Sequence, residues 1–120
     1  MRQDLRARTK RFALAVVRVA GLLDRHPTGR LLVSQLLRSG TSVGANYRAA
    51  CRAKSRADFV SKLSTAEEEC DETSYWLELF LEVGAIPPAE AEPLLDEAGQ
   101  LTAIFVASIR TARGGRRSGT

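Results

Sequence analysis

The sequence predicts an all-α fold, an antiparallel up-down-up-down four-helix bundle, on three observations. Apolar residues recur at steps of three and four through four successive segments, strand-like alternation is missing, and short links marked by Pro and Gly join the segments. The chain has 120 residues, 44% of them hydrophobic and 27% charged. A chain of that length buries roughly two thirds of the surface its unfolded form exposes, which makes one folded domain and excludes a second catalytic one. We expect a single bundle domain over residues 1–113 and a flexible basic tail over 114–120.

The first helix is expected from about Asp4 to Leu23, with Phe12, Val16, Val19, Ala20 and Leu23 on its main face. Asp24 to Gly29 form the first link, in which His26 beside Pro27 reads as a loop residue. The second helix carries Leu32, Leu36, Gly40, Val43, Tyr47 and Ala50. Gly40 and Gly44, with Ser39, Thr41 and Ser42 beside them, weaken helix propensity and signal either a bend or a close helix approach; a kink is expected near Ser39–Ser42. The third helix has the clearest seam: Phe59, Leu63, Ala66, Cys70, Thr73, Leu77 and Phe80 alternate steps of four and three. Ser55 and Asp58 form an S-x-x-D start signal, Gly84, Pro87 and Pro88 form the stop, and the rod between them is about 40 Å long.

The fourth helix carries Leu94, Ala98, Leu101, Ile104, Phe105, Ile109 and Ala112. Pro88 suits a first helical position, but Pro93 cannot donate a backbone hydrogen bond, so the firm helix is expected near Glu92 or Pro93. Gly114 and Gly115 are expected to end it. The outer helices hold more apolar residues than one seam needs, including Leu14, Val17 and Leu22 on the first and Leu95 and Val106 on the last. That excess points to a second buried face, hence an oligomer.

Charge is segregated along the chain. Residues 1–62 hold fourteen Lys and Arg against three Asp, residues 63–100 hold eleven carboxylates and no Lys or Arg, and residues 101–120 hold four Arg and no acid. Such segregation suits opposite-sign helices pairing within or between subunits, or a basic surface facing a polyanion. Arg18 interrupts the longest apolar run, so no segment reaches the roughly 20 residues a bilayer requires and no membrane partner is expected. With two cysteines and no signal-peptide pattern, a cytoplasmic location is the expectation.

Motifs that resemble chemistry have simpler explanations. Gly40-Thr41-Ser42-Val43-Gly44 matches G-x-S-x-G, yet it sits inside a helical pattern, and the single histidine, His26, precedes it. The run Glu67, Glu68, Glu69, Asp71 and Glu72 lacks the Glu-x-x-His pairs of a di-iron bundle, so no metal or cofactor is expected. Hairpin geometry sets Cys51 and Cys70 about 12 Å out of register, which predicts two free thiols. Tyr75 and Trp76 are adjacent, so one packs while the other borders a surface. Gln35, Arg38, Ser39, Ser42 and Asn46 follow one another at helical spacing and read as a polar network that fixes helix or subunit register, with ligand binding as the alternative.

The stretch Gln35-Leu36-Leu37-Arg38-Ser39-Gly40-Thr41-Ser42-Val43-Gly44-Ala45-Asn46-Tyr47-Arg48, with Asp58-Phe59, Lys62-Leu63 and Glu72-Thr73-Ser74-Tyr75-Trp76-Leu77, resembles the bacterial four-helix bundle proteins also called intervening-sequence proteins of the large-subunit ribosomal RNA gene. Ala49 departs from that pattern, which has Glu after the Tyr-Arg pair. The resemblance implies a homopentamer. The fold is also similar to accessory variability proteins of diversity-generating retroelements, basic pentamers that bind nucleic acid and a reverse transcriptase, an analogy of fold alone.

Together these readings lead us to expect a non-enzymatic oligomer that binds RNA or DNA phosphates through Arg6, Arg8, Lys10, Arg11, Arg110, Arg113, Arg116 and Arg117. Antiparallel topology should bring the start of the first helix and the end of the fourth to one end of the bundle. The alternative is a protein-interaction or scaffolding module, its acidic third helix facing a basic partner, with no direct nucleic-acid contact.

Overall fold

The computed structural model describes the backbone of residues 2–118 and the side chains of residues 4–114. Among these residues every regular element is helical: α1 (Arg2–Leu23), α2 (Pro27–Cys51), α3 (Arg56–Glu82) and α4 (Pro88–Ser118). Each helix packs on the next in chain order and α4 returns to α1; the diagonal pairs α1/α3 and α2/α4 make no close backbone approach among the described residues, although the Tyr47 ring of α2 reaches the Phe105 ring of α4 across the core, centroids 6.2 Å apart. The result is a four-helix bundle 55 Å long and 21 Å across.

Helical periodicity places the core. Phe12, Val16, Val19, Ala20 and Leu23 of α1 are buried, as are Leu63, Ala66, Cys70, Thr73, Leu77 and Phe80 of α3, with Phe59 packed against them from the edge. Leu94, Ala98, Leu101, Phe105 and Ile109 complete the core from α4. Each large apolar side chain among them contributes about 1.5–3 kcal/mol by leaving water. Of the apolar residues in excess, Leu22 and Leu95 pack against this core, whereas Leu14 and Val17 stay on the surface.

The third helix starts and stops as its sequence signals. Ser55 Oγ accepts from the Asp58 N–H at 3.0 Å, and the Asp58 carboxylate accepts from the Lys54 N–H at 3.2 Å, a reciprocal cap. At the other end the Ala85 N–H reaches back to the Phe80 carbonyl at 2.8 Å and the Gly84 N–H to that of Leu81 at 3.1 Å. That closure requires a left-handed residue, supplied by Gly84 at φ 78°.

One expectation is corrected and two are refined. His26 does more than occupy a loop: its Nδ1 caps α2 by accepting from the N–H groups of Thr28 at 3.2 Å and Gly29 at 3.5 Å. Helix α2 runs continuously through the Ser39–Ser42 stretch. Of the two readings of its glycines, close approach is the one the packing supports, since a Cβ on Gly40 would stand 2.7 Å from Val16 Cγ1 and one on Gly44 3.1 Å from Thr9 Oγ1. The fourth helix starts at Pro88 rather than near Pro93 and runs through Gly114 and Gly115 to Ser118. Pro93 removes the donor for the Ala89 carbonyl, but both residues are exposed, so water can take that place. Residues 119 and 120 of the expected tail lie outside the described residues.

Candidate nucleic-acid interface

The turn from α2 to α3 is built from cations. Arg48 lies in the last turn of α2, Arg52 is its C-cap, and Lys54 and Arg56 follow around the Ser55 cap. Arg113 joins them from α4, lining with Arg56, Val60, Ser61 and Ser64 an open hollow of about 610 Å³. A neighbouring hollow of about 400 Å³ sets Arg110 and Arg113 beside Glu67, Val106 and Ile109. Lys10 and Arg48 share a third, across the α1/α2 seam, with Thr41 and Ala45. Among the described residues none of Arg48, Arg52, Lys54, Arg56, Arg110 and Arg113 makes an ion pair.

The expected site residues are therefore not all brought together. Arg8 donates through Nε to Glu97 Oε2 at 2.8 Å and through Nη2 to Glu97 Oε1 and Gln100 Oε1, both at 2.9 Å. This forked contact holds the guanidinium more firmly protonated and ties α1 to α4. Arg8 thus stands level with Glu97, about 20 Å along α4 from Arg110 at 1.5 Å per residue. Arg11 lines the α1/α4 groove with Arg18, Glu90 and Glu97, a surface of mixed sign. Lys10 is exposed and Arg6 half-buried, and the side chains of Arg116 and Arg117 lie outside those described. The expectation missed Arg48, Arg52, Lys54 and Arg56. The signal was available, because the antiparallel order expected from the sequence would place the second turn beside the end of the fourth helix as well.

The polar group of α2 separates into four parts. Ser39 is buried and its hydroxyl accepts from Thr73 Oγ1 at 3.0 Å while donating to the Leu36 carbonyl at 3.3 Å, pinning α2 to α3 inside the core. Arg38, on the surface, donates to Glu69 Oε1 at 3.0 Å and to Glu72, whose other donor is Trp76 Nε1 at 2.9 Å. Arg38 first, and Trp76 second, hold the Glu72 carboxyl below its usual range. Ser42 and Asn46 turn back onto their own helix, donating to the carbonyls of Arg38 at 2.7 Å and Ser42 at 2.9 Å, and Gln35 is exposed. The bond that Ser42 makes to its own helix, in mid-helix, leaves the G-x-S-x-G segment without the strand-to-helix elbow a nucleophile needs.

Both thiols are free. Cys70 Sγ donates to the Ala98 carbonyl at 3.3 Å, and burial pushes its pKa up. Trp76 packs against the core and Tyr75 is exposed, its ring edge-on to the indole at 5.0 Å. Among the described residues no group of three or more His, Cys, Asp and Glu gathers closely enough to hold a metal ion, and no helix is long and apolar enough to cross a membrane.

Residues 3–107 match the model of a family described as 23S rRNA-intervening sequence protein. The chain is also similar to a solved structure from Bacteroides thetaiotaomicron, described as a protein of unknown function from the S23 ribosomal protein family, at 34% identity and a TM-score of 0.84 over 89% of this chain and 99% of the other. No curated protein matches. Neither description states an enzymatic activity. A family match over most of the length, together with that structural likeness, establishes the lineage: the chain belongs to the 23S rRNA-intervening sequence protein family.

Proposed function

We propose that this protein is a non-enzymatic, cytoplasmic oligomer of antiparallel up-down-up-down bundles, five to a ring, that binds RNA or DNA phosphates through the basic end of each subunit. The observation that carries the reading is the set of exposed cations, unpaired among the described residues, around the α2–α3 turn and the end of α4: Arg52, Lys54, Arg56, Arg110 and Arg113, with half-buried Arg48 beside them. Arg116 and Arg117 extend that set along the chain, and Arg6 and Lys10 flank it, while Arg8 serves the α1/α4 contact. The antiparallel order is supported by helix pairings in which Leu23 neighbours Gly29, Val16 neighbours Gly40 and Thr9 neighbours Gly44.

Phosphate contacts of this kind position a polyanion without reading its sequence. Neutralising about four phosphates per complex gives a log–log salt slope of about −3 to −4. Fluorescence anisotropy of nuclease-treated protein with a labelled structured RNA and a matched DNA duplex, across a salt series, tests the reading. Reversing Arg56, Arg110 and Arg113 to Glu is expected to abolish binding and flatten the slope. Unchanged affinity in the folded variant would place the surface elsewhere.

A second reading has its own support. The exposed carboxylates Glu68, Asp71, Glu78 and Glu82 give α3 an acidic outer face that repels nucleic acid and suits a protein partner. A partner recovered from lysate equally well with and without nuclease favours that reading.

A further inference from the structure

Two faces of the bundle remain without a partner among the described residues, and they match each other. On the outside of α1, Leu14 is 55% exposed and Val17 50%, one helical turn apart. Exposed cations surround them, Lys10 and Arg11 one turn before and Arg18 beside Val17. On the outside of α3, Tyr75 is 57% exposed, and one turn to either side of it stand Asp71 and Glu78, with Glu68 and Glu82 beyond. Among the described residues, none of these seven charges forms an ion pair. Each face has an apolar or aromatic centre and a charged rim, and the two rims have opposite sign.

We propose that the outer face of α1 docks on the outer face of α3 of a second copy of this chain. Leu14 and Val17 pack against the Tyr75 ring, while Lys10, Arg11 and Arg18 meet the carboxylates around it. This rests on the oligomeric part of the reading above and names the surfaces that make it. A polyanion is the poorer occupant of both faces: the α3 carboxylates repel it, and although Lys10, Arg11 and Arg18 would attract it to α1, it would leave Leu14 and Val17 exposed. Because α1 and α3 occupy opposite corners of the bundle with no close backbone approach, their outer faces cannot satisfy each other within one molecule. The contact joins unlike surfaces head to tail, so each copy uses both faces and successive copies close into a ring when the rotation permits. Lys10 and Arg11 then belong to the subunit contact, leaving phosphate binding to the cations at the α2–α3 turn.

Sedimentation velocity over a protein concentration series tests the docking. Three chains are compared with the wild type: one carrying Lys10→Glu, Arg11→Glu and Arg18→Glu, one carrying Glu68→Lys, Asp71→Lys and Glu78→Lys, and one carrying all six. Each single set places like charges across the contact and is expected to raise the dissociation concentration by at least roughly a hundredfold, leaving folded monomers. The six-fold chain restores opposite signs and is expected to reassemble. Should a reversed chain lose its helical circular dichroism, the Leu14→Ser, Val17→Ser chain, altered only at exposed positions, carries the test and is expected to be monomeric. A wild-type oligomer that survives every substitution overturns the docking alone. A wild-type monomer overturns the docking and the oligomeric reading together.

Discussion

Replacing Gly40 with alanine measures how tightly α1 and α2 are fitted. Alanine is the better helix former by about 1 kcal/mol, so propensity alone favours the change. The added Cβ, however, would stand 2.7 Å from Val16 Cγ1 and 2.8 Å from Cγ2, against an ordinary carbon contact of about 3.5–4.0 Å. Val16 is fully buried, and a β-branched side chain in a helix has essentially one rotamer, so it cannot swing aside. The helices must separate, and overpacking of this kind costs about 1–3 kcal/mol. With two methyl groups in the way the upper part of that range applies, leaving a net loss of about 1–2 kcal/mol.

Gly99→Ala is the control, because nothing lies within 4 Å of a Cβ there, and it is expected to stabilise by about 0.5–1 kcal/mol. Urea unfolding followed by circular dichroism, at one fixed protomer concentration, reads both. Adding Val16→Ala should cost at least about 1 kcal/mol less in the Gly40→Ala chain than in the wild type, since the truncated side chain makes room for the new Cβ. Equal or greater stability of Gly40→Ala would refute the close-approach argument.

The single tryptophan makes Glu72 observable: protonating the carboxylate weakens the charge-assisted bond that the Trp76 indole donates to it. Its emission is expected to titrate below the ordinary carboxyl value of 4.5 and to move up toward it in Arg38→Gln, whose stabilising contact is present above pH 4.5 in the wild type and lost as pH falls through the lowered pKa. Thr73→Val, which takes away the buried donor to Ser39, is expected to lower unfolding free energy by about 1–2 kcal/mol in the same urea assay. In thiol titration with a chromogenic disulfide, Cys51 should react in the folded protein and Cys70, buried with a raised pKa, only on unfolding. His26→Ala, which removes the α2 cap, is expected to cost about 1 kcal/mol by urea unfolding.

Where periodicity and capping agree, the helices are legible from the residues alone. The seam from Phe59 to Phe80 is regular, its first residue follows a Ser-x-x-Asp cap, and a glycine with positive φ closes it. Elsewhere one residue type supports opposite readings. Gly40 signals a bend or an approach with equal force, and only the position of Val16 on another helix decides. Pro93 and the Gly114–Gly115 pair are helix breakers by local propensity, but α4 keeps its buried face from Ala91 through Ile109 and Gly114, and packing outweighs them. The site is less legible because it depends on register. Arg8 meets Glu97 across 89 positions and Arg38 meets Glu69 and Glu72 across more than 30, so no spacing along the chain announces those pairs. For the same reason the sequence groups Arg8 with Arg110, although the helix lengths carry the end of α4 well past it.

Of the four sides of the bundle, the one between α1 and α4 is the thinnest, for α1 rests on α2 far more extensively than on α4. Besides apolar packing of Phe12 and Val19 near Leu94, that side is joined by the fork of Arg8 on Glu97 with Gln100 beside it, partly exposed to solvent. The molecule is therefore less a closed cylinder than a folded strip held by a clasp, and the order in which it lets go follows. Amide protons of α1 should exchange through an opening that leaves the α2–α3–α4 stack intact, and at a lower free energy than those of α3, which has a fully packed neighbour on both sides.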